Sequence, residues 1–399
     1  MKLHHTLPEP TPEAKARSAQ LTQKIRQFLN RAGQMTFGDY MQRALYTPNL
    51  GYYANGLPKI GAQGDFITAP EISPIFSHCL ANQSQQVLEK LSVNKTILEF
   101  GAGRGVMARD ILLRFIEQGW TLDNYFILEL SADLKAKQQE TLAEALPKEW
   151  LNKVQWLDKL PETPIHGVIL ANEVLDAMPF ERLYFETDQV SLGHVIYNEA
   201  KDKFDWDFRP ITEPHLLKQA NELLRIIGDP TAHNAKGYFT EINPHIAPWL
   251  NSLQSVLTEG LVLLVDYGYV RQEYYQSARH MGTLRCHYQH RAHSDPFFYP
   301  GLQDITAHID FTSVAEAGFE AGFKVAGFTT QAHFLMGSGL LQANPSHDSD
   351  ITEQLKFAQQ VKTLTMPDEM GETFKVIALT KNFDQPLMGF IYRDLRHTL

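Results

Sequence analysis

The sequence predicts an α/β fold built on a doubly wound, mostly parallel sheet, with an N-terminal helical segment and an inserted accessory lobe. Three observations carry that expectation. Apolar strand patterns alternate with helical periodicity through residues 96–171. One such strand ends at Glu99-Phe100 and runs directly into Gly101-Ala102-Gly103-Arg104-Gly105, ahead of a helical pattern. The runs at 167–171 and 261–265 are apolar throughout, as strands covered on both faces are.

The elements follow in order. Residues 14–32 have helical spacing, with Leu21, Ile25, Phe28 and Leu29 on one face and Gly33 as the stop. Residues 37–74, punctuated by Gly and Pro and rich in Tyr, read as an ordered loop region suited to covering a site. A helix at 75–91 leads into the glycine run. Strands at 96–100, 125–128, 154–157 and 167–171 are joined by helices that include 106–118 and 131–146. The alternation breaks at 183–208, which reads as β-hairpin material, followed by a helix at 215–227, a loop at 228–240 and a helix at 244–257. The strand at 261–265 ends at Asp266, and 268–310 is loop-rich. A helix at 311–321, a strand at 324–329, helices at 331–341 and 349–364 and a strand at 374–380 complete the chain. The expected division is a cap at 1–80, a core in two parts at 81–182 and 256–399, and an accessory lobe at 183–255.

Composition sets the outer bounds. The 399 residues carry a formal net charge of -10, with 46 acidic against 36 basic side chains, which disfavours nonspecific nucleic-acid binding. Two cysteines, Cys79 and Cys286, are too few for a disulfide scaffold and suit a reducing compartment. The first twenty residues lack an apolar h-region, and no run reaches the roughly 18 apolar residues of a membrane span. The expectation is a soluble cytoplasmic protein with no nucleic-acid or membrane partner, a homodimer being left open.

The glycine run narrows the ligand. Gly101 and Gly103 allow a tight turn and close backbone approach, and Gly105 lets the next helix pack near the strand. The spacing G-x-G-x-G departs from the dinucleotide fingerprint G-x-G-x-x-G, whose ribose-binding acid follows about twenty residues on. Here the next strand-terminal acid, Glu129, follows Glu99 by thirty positions. Arg104 could serve a phosphate, but Glu99 just before the turn would repel one. S-adenosyl-L-methionine fits better, since its sulfonium and amino groups are positive and its ribose offers two hydroxyls to Glu129. This is the ordinary arrangement of a class I (Rossmann-like) methyltransferase. The cofactor-binding candidates are Glu99, Gly101, Ala102, Gly103, Gly105, Glu129 and Leu130. Asp158, beyond the third strand, either approaches the adenine amino group or is solvated. The alternative for the whole run is a plain glycine turn, with Glu129 capping a surface helix.

The acceptor side follows the fourth strand, in Ala171-Asn172-Glu173-Val174-Leu175-Asp176-Ala177-Met178-Pro179. The N/D-P-P-Y/F motif that holds neutral amines is missing, and carboxylates stand in its place. Glu173 and Asp176, three residues apart, would share one face of a first helical turn, with Asn172 beside them and the cofactor. Paired carboxylates match a guanidinium, which presents five donors in a planar fork and keeps its proton to a pKa above about 12. In the alternative, Asp176 caps a helix and Glu173 makes a structural ion pair. The segment 64–74 could lie over the cofactor, with Thr68, Pro70 and Glu71 at its inner side, or be a helix N-cap in which Ser73-Pro74 starts the next helix. His280, His287, His290, His293 and His308 match neither a zincin helix nor a Cys/His knuckle, so no metal is expected. His308, with Asp304 and Asp310, could line the acceptor channel and accept a proton.

Taken in order, these motifs resemble the MidA-like (DUF185) family over nearly the whole chain. The resemblance rests on Tyr52-Tyr53, residues 64–71, 99–105 and 171–179, Asp266-Tyr267-Gly268, and residues 300–311. It implies a class I methyltransferase fold with an accessory lobe, S-adenosyl-L-methionine as cofactor, and arginine in a protein as acceptor. In the family's mitochondrial complex I assembly factor that arginine becomes symmetrically dimethylated. The resemblance assigns the glycine loop and Glu129 to the cofactor and the acidic stretch after the fourth strand to the acceptor. The chain departs from the family at Asp266-Tyr267, where Asp-His is common, and that departure bears on the acceptor. The competing expectations are a methyltransferase for a small molecule or another residue type, and a noncatalytic cofactor-binding assembly protein.

Overall fold

The structure, a computed structural model, describes residues 7–56, 67–187, 189–232, 237–343 and 350–399. Gly64-Asp65-Phe66 of the expected covering segment, residues 233–236 of the expected loop and Ser349 lie outside the described residues. The chain divides into two compact units. One comprises Met1–Phe66, Asp176–His245 and Gln272–His308; the other comprises Ile67–Leu175, Ile246–Arg271 and Ile309–Leu399.

In the first unit, α1 (Pro12–Ala32) is capped by the Thr11 hydroxyl, which accepts from Ala14 N, and closed by Gly33 in the left-handed region. Leu21 and Ile25 are buried as their spacing requires, and Phe28 and Leu29 pack partly against the same core. The stretch expected to be a loop instead opens with α2 (Phe37–Tyr46), and the Thr36 hydroxyl accepts from Asp39 N. Its apolar face of Phe37, Tyr40, Met41, Ala44 and Leu45 is fully buried, so tertiary packing overrides the Gly and Tyr punctuation. The expected hairpin region is a four-stranded antiparallel sheet in the order Lys203–Pro210, Val190–Asn198, Glu181–Phe185, Tyr238–Ile242. Its last strand falls partly in the expected 228–240 loop. The region expected as loop at 268–310 also holds a small sheet of Arg291–His293, Arg285–Tyr288 and Asp304–Thr306.

The second unit holds the large sheet. Its seven long strands, numbered in chain order, are β1 (Lys95–Phe100), β2 (Asn124–Leu128), β3 (Val154–Leu157), β4 (Ile165–Asn172), β5 (Leu257–Tyr269), β6 (Lys324–Thr330) and β7 (Phe374–Lys381). They lie in the order β6-β7-β5-β4-β1-β2-β3, with Ile309–Asp310 pairing on β5. β1 pairs in parallel with β2 and β4, β2 with β3, and β4 with β5, whereas β7 runs antiparallel to both its neighbours. This is the doubly wound sheet expected. Strand order reverses between β1 and β4, and such a switch point opens a crevice at the carboxyl ends. α3 (Ala69–Ile72) and α4 (Pro74–Leu88) precede β1, α5 (Val106–Glu117) follows it, and α6 (Ala132–Ala145) follows β2. Ile97, Leu170, Leu263 and Val376 of the sheet share one core with Phe76 and Leu80 of α4 and Ile111 and Phe115 of α5.

The expected boundaries at 80, 182 and 255 therefore move. Residues 67–80 join the sheet unit because α4 buries its apolar side in that core. Residues 272–308, expected in the core, join the first unit because Cys286 and Ile305 share a cluster with Leu21 and Tyr40. Among the described residues no helix is long and apolar enough to cross a membrane.

Candidate active site

The carboxyl edge at the β1–β4 switch is built first by glycine. Gly101, Gly103 and Gly105 have φ of 61°, 53° and 82°, in the left-handed region that costs other residues energy. Gly101 N–H donates to Leu128 O, tying the turn to the end of β2, and Gly105 starts α5. A Cβ at Gly101 would meet only Val174 Cγ2, at 3.5 Å, so the turn leaves room for a ligand above it.

Glu129 stands at the end of β2, buried, with Oε1 accepting from Ser131 N at 2.8 Å and Oε2 from Gln138 Nε2 at 2.9 Å. The next residue, Leu130, is 73% exposed, an apolar surface beside a fixed carboxylate. That pairing suits a nucleoside, with the base against the leucine and the ribose at the acid. Glu99 is placed differently from expectation. It is fully buried and its Oε2 accepts from the Tyr125 hydroxyl at 2.5 Å, so it forms no acidic entrance. Residue 99 pairs with Ile127 and residue 97 with Tyr125, so Glu99 and Tyr125 are same-face diagonal neighbours. Burial pushes the Glu99 carboxyl up to about 7, opposed by the Tyr125 hydrogen bond and reinforced by Glu129. Asp158 takes the solvated alternative: its side chain is 85% exposed and paired with Lys135 at 3.2 Å.

Thr68 is the N-cap of α3, without a side-chain capping bond, and Pro70 is buried in that helix. Glu71 is engaged by Arg104 of the glycine turn in a two-bond fork, Nε to Oε1 at 3.0 Å and Nη2 to Oε2. Arg104 therefore ties α3 to the loop. The capping expectation for the next element also holds, since Ser73 Oγ accepts from Ile75 N and Pro74 begins α4.

Asn172 ends β4 one residue beyond Ala171, which is level with Phe100, so it sits next to the glycine turn. Its Oδ1 is buried and makes no hydrogen bond among the described residues. Glu173 follows with φ 53°, held there by its N–H donating to Val265 O at 2.9 Å, and its Oε1 accepts from Asn172 Nδ2 at 3.3 Å. No helical turn follows β4; residues 173–178 form bends and turns, so Glu173 and Asp176 do not share a helix face as expected. A left-handed residue at 173 turns the chain before a helix can start. Asp266 of β5 holds this bend, its Oδ2 accepting from Leu175 N at 3.0 Å and its Oδ1 from Tyr267 N at 2.9 Å.

Asp176 and His308 belong to the first unit. Asp176 is buried and its carbonyl accepts from Ala307 N, while His308 N–H donates to Thr283 Oγ1 at 3.2 Å. In the same unit the Tyr53 hydroxyl donates to Asp304 at 2.9 Å, and its pKa is driven well up by burial first, then by Asp304 and Asp176. Asp310 is in the other unit and caps the helix Phe311–Glu320 while pairing with Arg271, a structural post rather than a channel wall.

Sequence reasoning overlooked Gln138 and underrated Asp266. The signal for Gln138 was a lone amide four residues before Leu142 on the buried side of α6.

A sheet whose seven long strands include one antiparallel strand, a left-handed glycine turn after β1 and a buried acid after β2 define a class I S-adenosyl-L-methionine-dependent methyltransferase. The family model described as "Putative S-adenosyl-L-methionine-dependent methyltransferase" matches residues 79–329. A candidate methyl transferase from Burkholderia thailandensis, crystallised with S-adenosyl-homocysteine, is 39% identical, with a TM-score of 0.91 over 99% of this chain and 100% of that one. Among curated relatives, the mitochondrial protein arginine methyltransferase NDUFAF7 of Danio rerio is 28% identical over 381 residues, 87% of this chain and 83% of the relative. Its Homo sapiens counterpart is 27% identical over 400 residues, 90% and 83% of the two chains. The chain belongs to this family of methyltransferases, and the MidA-like resemblance holds. It is an enzyme, and S-adenosyl-L-methionine is its cofactor.

One expectation is overturned by the same relatives. The curated relatives are mitochondrial proteins by name, which contradicts the cytoplasmic placement expected from the sequence. It rested on the low cysteine count, a missing secretory h-region and the lack of a long apolar run, none of which distinguishes the cytoplasm from the inside of an organelle.

Proposed function

We propose that this methyltransferase modifies a guanidinium nitrogen of arginine presented by a protein, with symmetric dimethylation as the product. The relatives named protein arginine methyltransferases support the acceptor class. The observation that carries the reading is Glu173, a carboxylate fixed at φ 53° at the end of β4, beside the glycine turn.

When bound, the cofactor supplies a methyl group on a positively charged sulfur. The glycine turn, Glu129 and Leu130 would hold its nucleoside end. Thr68, Pro70 and Glu71 lie on the segment that Arg104 fastens to that turn. Glu173 accepts hydrogen bonds from the guanidinium and sets the direction of one terminal nitrogen, and the Asn172 carbonyl oxygen takes another N–H. Neither group removes the guanidinium proton beforehand, because its pKa lies above about 12. The carboxylate instead stabilises positive charge and orients the nitrogen, and the proton leaves during or after transfer.

The test is incubation of the enzyme with labelled S-adenosyl-L-methionine and extract from cells lacking it, followed by peptide mapping. Label on arginine of a protein band is expected, lost with Glu173→Gln while S-adenosyl-homocysteine still binds. Label confined to small molecules or to lysine would overturn the proposal.

A further inference from the structure

We infer that Gln138 of α6 is a positioning residue for cofactor binding, setting the spacing between the glycine turn and the ribose acid. The inference rests on the assignment of Glu129 to the ribose. Gln138 is fully buried, and all its side-chain hydrogen-bonding groups point at the site's own scaffold. Its Nε2 donates to Glu129 Oε2 at 2.9 Å and to Gly103 O at 2.9 Å. Its Oε1 accepts from Trp156 Nε1 of β3 at 3.0 Å.

The third bond decides the other two. An indole N–H can only donate, so it fixes which end of the amide is oxygen and turns the NH₂ group towards the acid and the turn. One planar group thus clamps a carbonyl of the glycine turn and a carboxylate oxygen at a set separation. The backbone enforces the same fit, because a Cβ on Gly105 would lie 3.1 Å from Gln138 Cα. By donating to Oε2, Gln138 also holds the Glu129 carboxylate in one rotamer and leaves it an acceptor. A glutamate here would place a second carboxylate against Glu129 and point no N–H at Gly103.

Gln138→Met keeps length and removes all three bonds. Its affinity for S-adenosyl-homocysteine, measured by calorimetry, is expected to fall about 5- to 50-fold, the loss typical of unpaired buried partners. KM for S-adenosyl-L-methionine should rise with kcat little changed. In a Glu129→Gln background the same substitution should cost less than about twofold, because the residue it acts through is already altered. Gln138→Glu should bind weakly at pH 8 and recover towards wild type as the pH falls and the added carboxyl is protonated. Trp156→Phe, a milder change, should weaken binding while leaving the fold intact, and keeps the test open should Gln138→Met fail to fold.

An equal penalty in both backgrounds, a fall in kcat at constant KM, or pH-independent binding by Gln138→Glu would overturn the inference. Wild-type affinity in Glu129→Gln would overturn the ribose assignment itself, and is read from that single variant alone.

Discussion

Glu173 is held in a conformation that only glycine adopts freely, and this separates stability from activity in a measurable way. An L-residue in the left-handed region costs roughly 1–2 kcal/mol. Glycine removes that cost and adds about 0.4–1 kcal/mol of unfolded-state freedom. Alanine at 173 keeps the strain and loses the carboxylate, so the comparison of Glu173→Gly with Glu173→Ala isolates the backbone. Glu173→Gly is expected to be the more stable of the two by about 0.5–1 kcal/mol, and both should lose methyl transfer by about a hundredfold or more, as when a fixed electrostatic contact to the reacting group is removed. Urea denaturation followed by tryptophan fluorescence is the assay. Trp120, Trp150, Trp156 and Trp249 lie in the sheet unit and only Trp206 in the other, so the signal reports mainly the unit that holds residue 173. The midpoints should differ at unchanged slope. Alanine equal to or more stable than glycine would refute the strain argument. Retained activity in either variant would refute the role of the carboxylate.

Two further outcomes follow from buried acids of the sheet edge. The Glu99 carboxyl is raised from 4.5 to about 7, so the folded state binds that proton more tightly than the unfolded chain; the stability it contributes is full below pH 4.5 and is lost as pH rises through about 7. Glu99→Gln should therefore gain stability over wild type between pH 5 and pH 8, by on the order of 3 kcal/mol at most, and a difference independent of pH in paired denaturation curves would refute this. Asp266→Asn replaces one of two acceptors facing backbone N–H groups by a donor, and should slow methyl transfer about tenfold or more while S-adenosyl-homocysteine affinity changes little, because the bend at 173–175 loosens and the glycine turn does not.

The sheet and its ligand edge were legible because they are written locally. The apolar run of β4, the glycines after β1 and the acid after β2 each follow from a few consecutive residues, and parallel pairing at a switch point then brings them together. Partnerships across the fold were not legible. Nothing in the local sequence says that Arg104 meets Glu71 thirty-three residues earlier, or that Glu99 turns inward to Tyr125. Two features misled outright. Gly and Tyr punctuation hid α2, whose apolar face shows only against its tertiary neighbours, and helical spacing at 173–176 was overridden by one left-handed residue. The small sheet at 285–306 was hidden by its length, three or four residues per strand.

Strand register orders the edge of the sheet. Phe100 is level with Leu128 on one side and Ala171 on the other, and Asn172 is level with Val265. Going across, the edge therefore presents Glu129, the glycine turn, Asn172-Glu173 and Asp266. Strands are about 4.8 Å apart, so Glu129 and Glu173 stand roughly two spacings from each other, with the turn between them. Under the proposed assignment of the nucleoside to Glu129, the acceptor residues proposed after β4 lie on the far side of the glycine turn from it. Burial sorts the acids along this line. Glu99, Glu129 and Asp266, on the strands nearest the switch, are buried and bonded to a neighbouring hydroxyl, amide or backbone N–H, whereas Asp158, after β3 at the end of the sheet, is solvated. Pyrophosphate would face the carboxylates of Glu129 and Glu173, with the one basic side chain of the glycine turn already held by Glu71. A cationic cofactor suits these carboxylates, so the preference for a sulfonium is carried by Glu129 and Glu173 and not by the inward-turned Glu99.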